Sequence, residues 1–100
     1  MNQMQQMLQQ AQRMQRQLQK AHAELDAKEF TVEKAGLVTV VLTGDKKVKS
    51  ISVDKDALNP DDAEMLQDTI VAAINEAIDQ ITEANNKIDE EITGRSGGLF

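Results

Sequence analysis

Three cations, Arg13, Arg16 and Lys20, stand at positions i, i+3 and i+7 in the opening segment of the chain. On a helix they would fall within about 60° of arc on one face. No acid occurs before Glu24, although exposed helices usually mix acids with bases for pairing one turn apart. The chemistry that this stripe offers is charge-assisted contact with a negatively charged partner. The spacing alone favours an ordinary solvated coiled-coil face, whereas the absence of acids favours a negatively charged partner, and both interpretations stay open.

A second basic cluster, Lys46, Lys47 and Lys49, follows a Gly-Asp turn signal. It offers the same chemistry, although lysines also protect the edges of sheets. No aromatic residue lies among these cations, so stacking on single-stranded bases is poorly supported.

Catalytic and metal-binding patterns are missing from the sequence. His22 is the single histidine, and no nucleophile or carboxylate constellation surrounds it in sequence, so we expect a surface or edge residue. The chain has no cysteine, and the glycines near its end follow a helix instead of forming a phosphate loop. The acids show no Ca²⁺-loop spacing. We expect no enzyme activity, no cofactor and no metal site.

Two long helices must position these residues. The first, over 2–28, has a heptad seam at Met4, Met7, Ala11, Met14, Leu18, Ala21 and Leu25. The second, over 60–93, begins at Asn59-Pro60 with acids in its first turn and stops at Gly94. We expect 94–100 to be a flexible tail.

Three strands are predicted within 30–54, with a β-bulge near Lys49-Ser50 that corrects the parity of Val48. The fold class is therefore α+β, with an N-terminal helix, a three-stranded antiparallel sheet and a C-terminal helix in one domain, 1–93. Both helices outreach so small a sheet, which indicates a homodimer with projecting helical arms. The apolar segment 37–43 lacks polar alternation, and we expect its residues at the dimer interface: Leu37, Val38, Val40 and Leu42.

Charge is unevenly distributed in this chain of 100 residues and net charge -6. Residues 1–23 hold three cations and no acid, whereas residues 56–91 hold eleven acids and one lysine. The net negative charge argues against nucleic acid as a partner, whereas the local positive charge of residues 1–23 argues for it. No apolar run approaches the ~20 residues of a membrane span, and the cysteine-free composition fits a reducing cytoplasm. We expect a cytoplasmic protein with no membrane partner.

Three motifs in the expected order resemble the YbaB/EbfC family of nucleoid-associated proteins: MLQQAQRMQ at 7–15, AGLVTVVLTGDKKVKSISVD at 35–54 and LQDTIVAAINEA at 66–77. The resemblance implies a homodimer that binds double-stranded DNA with modest sequence preference, organises the nucleoid and influences gene expression. Carried over by position, its helical DNA contacts fall on Arg13, Arg16 and Lys20. The hairpin lysines Lys46, Lys47 and Lys49 are our own addition.

One alternative comes from another functional class. The Met-rich first helix could grip a partner helix, since methionine surfaces adapt readily, and the chain would then be a dimeric protein-binding clamp or adaptor. Salt-dependent binding to DNA would favour the first interpretation, and recovery of one protein without DNA the second.

Overall fold

The opening segment forms helix α1, Gln3–Ala27, as its heptad spacing predicts, in a computed structural model that describes residues 2–94. Asn2 caps the helix, because its side-chain oxygen accepts a hydrogen bond of 2.8 Å from the backbone N–H of Gln5. The helix ends where Lys28 becomes extended and donates its N–H to the Leu25 carbonyl at 3.0 Å.

Three antiparallel strands follow in the order β1 (Glu29–Lys34), β2 (Val38–Thr43) and β3 (Lys47–Val53). The predicted bulge is confirmed: Val41 pairs with Ser50 and Leu42 with Val48, which leaves Lys49 without a partner residue on β2. Because of the bulge, Val48 returns to the same face as the other apolar residues of β3.

Two tight turns join the strands. Ala35 and Gly36 have φ angles of 57° and 63°, and the Leu37 N–H donates to the Lys34 carbonyl at 2.9 Å. Positive φ at both central positions gives the mirror-image turn whose twist matches an antiparallel hairpin, and the pairing of Lys34 with Val38 leaves three residues between the strands. The β2–β3 turn also leaves three residues between its paired ends, Thr43 and Lys47, with Lys46 at φ 66° and its N–H donating to the Thr43 carbonyl at 2.8 Å.

The second helix begins at the predicted place with a tighter first turn. Asn59 accepts a hydrogen bond from the Asp61 N–H at 3.0 Å, Pro60–Asp62 forms a 3-10 turn, and α2 runs over Ala63–Thr93. Gly94 ends α2 with φ 70° and donates its N–H to Glu90 at 2.8 Å, as a glycine stop should. The rest of the predicted flexible tail, 95–100, lies outside the described residues.

The core lies between α2 and the sheet. α2 packs across β1 and β2, and alternate β2 residues Val38, Val40 and Leu42 are 1%, 0% and 0% exposed beneath it. Small residues, Ala73 and Ala77, let the helix approach closely. The residues predicted at the dimer interface, namely Leu37, Val38, Val40 and Leu42, thus lie in the core of a single chain and keep almost no area for a second subunit.

The molecule, α1 included, measures 71 × 24 × 15 Å, and α1 extends beyond the rest of it. Its C-terminal part packs against α2, where Leu25 is buried and Leu18 is half-buried. Every residue from 2 to 13 is exposed, so this segment, the projecting half of α1, has no cover within the described chain. The predicted helical arm is confirmed.

Candidate nucleic-acid interface

The cationic stripe, Arg13, Arg16 and Lys20, lies fully on the exposed side of α1. The opposite side carries the half-buried Met14 and Leu18. None of the ion pairs among residues 2–94 involves a stripe residue. Three positive charges over about 10 Å of helix are therefore available to an external anion.

The hairpin lysines differ from the stripe because acids of the same chain neutralise two of them. Lys47 lies 3.8 Å from Asp45, and Lys49 pairs with Glu29 across the sheet. Lys46 stands at the tip in a left-handed conformation that costs a lysine roughly 1 kcal/mol. The hairpin therefore offers a weaker net positive field than α1.

Asp45 holds its charge within this turn. The hydrogen bond from the Thr43 hydroxyl, followed by the Lys47 ammonium, lowers the pKa of the Asp45 carboxyl. A lowered carboxyl pKa means that the turn keeps this contact at neutral pH and loses it only as pH falls through the lowered value. At neutral pH the carboxylate thus offsets one of the hairpin lysines.

Gly44 connects the hairpin to α1. Its N–H donates to the Lys28 carbonyl at 2.9 Å, and a Cβ at this position would overlap the Leu25 carbonyl group, with 2.6 Å to its carbon. Only glycine lets the two backbones approach this closely. The contact fixes the hairpin at the C-terminal end of α1, roughly 12 Å along the helix axis from Lys20.

An acidic stripe covers the outer face of α2. Its members are exposed, and at 100° per residue they lie within about 100° of arc opposite the core: Glu64, Asp68, Asp79, Glu83 and Glu90. These carboxylates repel an anion, so the electrostatic surface directs a negatively charged ligand to α1.

Sequence reasoning missed the surroundings of His22. The structure places it half-buried between α1 and α2, with Asn85 Oδ1 2.9 Å from Nδ1 and Asp89 Oδ1 3.0 Å from Nε2. Its partners lie 63 and 67 residues further along the chain, and no local spacing could reveal them. His22 lies at an edge of the packed helices, as expected. Its contacts with an amide and a carboxylate were not expected from its neighbours in sequence.

Residues 2–94 offer neither of two other kinds of site. They contain no group of three or more His, Cys, Asp or Glu placed to hold a metal ion. Within the same part of the chain, neither helix combines the length and the apolar character that crossing a membrane requires.

Residues 1–96 match the model of the YbaB/EbfC DNA-binding family. A nucleoid-associated protein of Acetivibrio thermocellus is 45% identical over 96 residues, which are 93% of this chain and 83% of the relative. A nucleoid-associated protein of Ruminiclostridium cellulolyticum is 40% identical over 94 residues, or 93% of this chain and 82% of the relative. One from Streptococcus thermophilus is 49% identical over 85 residues, or 84% of this chain and 86% of the relative.

Proposed function

The chain belongs to the YbaB/EbfC DNA-binding family, and from that premise we propose that it binds double-stranded DNA through the cationic stripe of α1, as a homodimer. The observation that carries the proposal is the availability of Arg13, Arg16 and Lys20, which share one exposed face and lack ion-pair partners within residues 2–94. Phosphate contact by such groups releases counterions from the duplex and supplies affinity without reading bases.

Modest sequence preference follows from the composition of the stripe. The stripe sits on a single helix among glutamines, and its cations reach outward from a surface only one helix wide. Binding that depends chiefly on phosphates tolerates many sequences. A protein of this kind would coat or organise nucleoid DNA and influence gene expression through occupancy, in the cytoplasm and at the nucleoid.

The hairpin lysines take a secondary part in this proposal. Asp45 and Glu29 offset Lys47 and Lys49, whereas none of the ion pairs among residues 2–94 involves Lys46. DNA that follows α1 toward its C-terminal end would reach the hairpin, because Gly44 holds the turn against that end of the helix. These lysines would extend the contact without dominating it.

The homodimer rests on an apolar surface that one chain leaves open. Val48 and Ile51 of β3 are 47% and 44% exposed, although their register places them on the α2 side of the sheet. They remain exposed because α2 lies over β1 and β2. A second copy that covers this surface would double the cationic stripe to six charges at a fixed separation.

The side of α2 next to β3 extends that surface. The ion pair of 3.1 Å between Lys34 of β1 and Glu76 identifies the side of α2 that faces β1. Val71 and Ile78 lie about 140° and 160° around the helix from Glu76, on the β3 side. Val71 is 57% exposed, so the apolar surface of β3 continues onto α2, and a dimer would bury both parts of it.

Substitution of the stripe tests DNA binding. Arg13→Gln, Arg16→Gln and Lys20→Gln together keep helix propensity and leave the face toward α2 unchanged. We expect weaker binding to unrelated duplexes by similar factors, and a salt slope that falls by about 0.9 for each phosphate that the variant no longer neutralises. The measurement is fluorescence anisotropy at several salt concentrations, with circular dichroism to show that the fold persists.

The matched control is the hairpin triple, Lys46→Gln, Lys47→Gln and Lys49→Gln, which removes the same charge from another surface. If net charge alone governed binding, the two triples would be equivalent; we expect the stripe triple to lose more affinity. Wild-type affinity and salt slope in the stripe triple would overturn the proposal.

A second candidate function, a protein-binding clamp or adaptor, is favoured by the apolar side chains of the projecting half of α1. Met4, Met7 and Leu8 are 71%, 65% and 57% exposed and form an adaptable surface on a lone helix. Met4→Gln with Met7→Gln separates the candidates: loss of a captured protein without loss of DNA affinity would favour the adaptor.

A further inference from the structure

His22 joins the proposed DNA-binding helix to the body of the molecule through both of its ring nitrogens. Nδ1 lies 2.9 Å from Oδ1 of Asn85, and Nε2 lies 3.0 Å from Oδ1 of Asp89. Both partners belong to α2, whereas His22 belongs to α1, two residues beyond the end of the cationic stripe. One side chain therefore makes two directed contacts at the base of the arm.

Both partners of the ring are acceptors. A carboxylate such as Asp89 accepts hydrogen bonds and donates none. Asn85 could in principle present either end of its amide, but its Nδ2 lies 3.3 Å from the Ile81 carbonyl oxygen, to which it donates. Reversing the amide would set two oxygens against each other, so Oδ1 is the atom that faces His22.

The protonated ring is the form that matches these partners. A neutral imidazole carries one N–H and would turn a lone pair toward either Asn85 Oδ1 or Asp89 Oδ1. The imidazolium donates from both nitrogens, and its charge is balanced by Asp89.

Other charged groups lie near this contact, but among the described residues Asp89 is the one that forms an ion pair with the His22 ring. On α1, Asp26 lies four residues beyond His22, so it is on a neighbouring turn. Glu24, Lys28, Lys87 and Glu91 line the groove on the other side of the α1–α2 contact, two acids against two bases. From the sheet, the β2–β3 turn reaches α1 at Leu25 and Asp26.

We propose that His22 is a positioning residue for the arm: the protonated ring, held between Asn85 and Asp89, fixes the direction in which α1 leaves α2, and loss of the proton frees the arm to swing. The projecting half of α1 has no cover in the described chain, so its direction depends on contacts at its base, where His22 lies between the half-buried Leu18 and the buried Leu25. The consequence for DNA rests on the function proposed above, whereas the consequence for arm direction does not.

The distance between the two helices tests the inference without DNA. The chain contains no cysteine, so Gln5→Cys and Thr82→Cys introduce two unique sites for spin labels on the arm and on α2. Labelled protein is diluted with excess unlabelled protein, so that distances within one chain dominate. We expect a narrow distance distribution near about pH 6 and a broader one near about pH 8.

Two variants make the outcome specific. With Asp89→Asn, a neutral ring satisfies every partner, because Nδ1–H donates to Asn85 while Nε2 accepts from the new amide; the distribution should be narrow at both pH values. His22→Ala removes the link, and its distribution should be broad at both. A purely structural contact predicts no pH dependence in any of the three proteins, and that result, or pH dependence that survives Asp89→Asn, would overturn the inference.

Duplex affinity gives the second readout. Wild-type affinity should fall about fivefold over the same pH interval, at the low end of typical couplings between linked equilibria, and Asp89→Asn should remove that fall. If the wild type binds no duplex at any pH, the proposed function fails, yet the spin-label distances still decide whether His22 positions the arm.

Discussion

Gly44 shows how strictly a single residue can be determined by a neighbour that is remote in sequence. Its backbone N–H contacts Lys28, and its missing side chain leaves room for the last turn of α1. The atoms that a Cβ would meet belong to the Leu25 and Asp26 backbone, and such atoms cannot rotate away as a flexible side chain could. One hydrogen in place of a methyl group thus holds the arm against the sheet.

Gly44→Ala should therefore destabilise the fold by about 2 to 4 kcal/mol, because the overlap is with backbone. Chemical denaturation measures the change. The matched control is Gly94→Ala, where φ is 70° but no atom lies within 4 Å, so only conformational strain of about 1 kcal/mol is expected. Equal losses in the two variants would show that close packing at Gly44 is not the cause.

At the scale of single elements, the β1–β2 hairpin uses a residue that its turn disfavours. Ala35 occupies a left-handed conformation, φ 57°, in a turn whose preferred pair is Asn-Gly. Asparagine tolerates that conformation better than alanine and restricts the unfolded chain more than glycine. The turn forms nonetheless, because the strands on both sides pack under α2.

Ala35→Asn should raise the free energy of unfolding by about 0.5 to 1 kcal/mol. Thermal and chemical denaturation measure it, with duplex affinity as the control, since the turn lies away from the cationic stripe. A lower stability than wild type would mean that the strain inferred from φ is not present in solution.

The helices form a second pair of elements, and they carry opposite charge. α1 presents cations at its exposed face, whereas α2 presents the acidic stripe. The acids nearest the α1–α2 contact are those at the C-terminal end of α2, where His22 of α1 meets Asp89. Their field reaches the base of the arm and opposes the approach of phosphate.

Glu83→Gln with Glu90→Gln should therefore tighten duplex binding about two- to fivefold at low salt, and the gain should vanish at high salt. Glu64→Gln with Asp68→Asn is the control: it removes the same charge at the other end of α2, roughly 39 Å from Glu90 along the helix. An equal gain in the control would assign the effect to net charge instead of position.

At the scale of the whole molecule, the projecting half of α1 keeps a defined direction only if the part of the fold that holds α1 is rigid. The core that α2 forms with β1 and β2 supplies this rigidity, but the same arrangement leaves β3 open on its apolar side. An open apolar surface beside a closed core is typical of a chain that completes itself with a partner. The proposed homodimer and the elongated arm are therefore connected features.

Ile51→Lys should abolish dimerisation while the monomer stays folded, because the side chain is 44% exposed in a single chain. Sedimentation velocity and circular dichroism measure the two properties. Ser50→Lys, on the other face of β3, is the matched control and should leave the dimer intact. Val40→Asp should instead unfold the chain, at a cost above about 4 kcal/mol, since that side chain is 0% exposed. A folded wild-type monomer at micromolar concentration would contradict the proposed dimer.

Local pattern determined the elements of this protein. Heptad spacing, the Asn-Pro start, the Gly94 stop and the parity of Val48 depend on neighbours within a few residues, and the structure confirms the helices, the three strands and the bulge. The cations of α1 were likewise visible, because the spacing of residues on one helix face is a local property.

Tertiary structure alone decided which surfaces are closed. The strand 37–43 looked like an interface because its sequence is apolar throughout, but the chain's own α2 covers one face of it, and the exposed apolar residues are on β3 instead. His22 acquired its partners, and Gly44 its constraint, from helices that are distant in sequence. Periodicity predicts which face of an element is apolar. Which other element covers that face depends on how all the elements of the fold pack together, and local spacing does not contain that information.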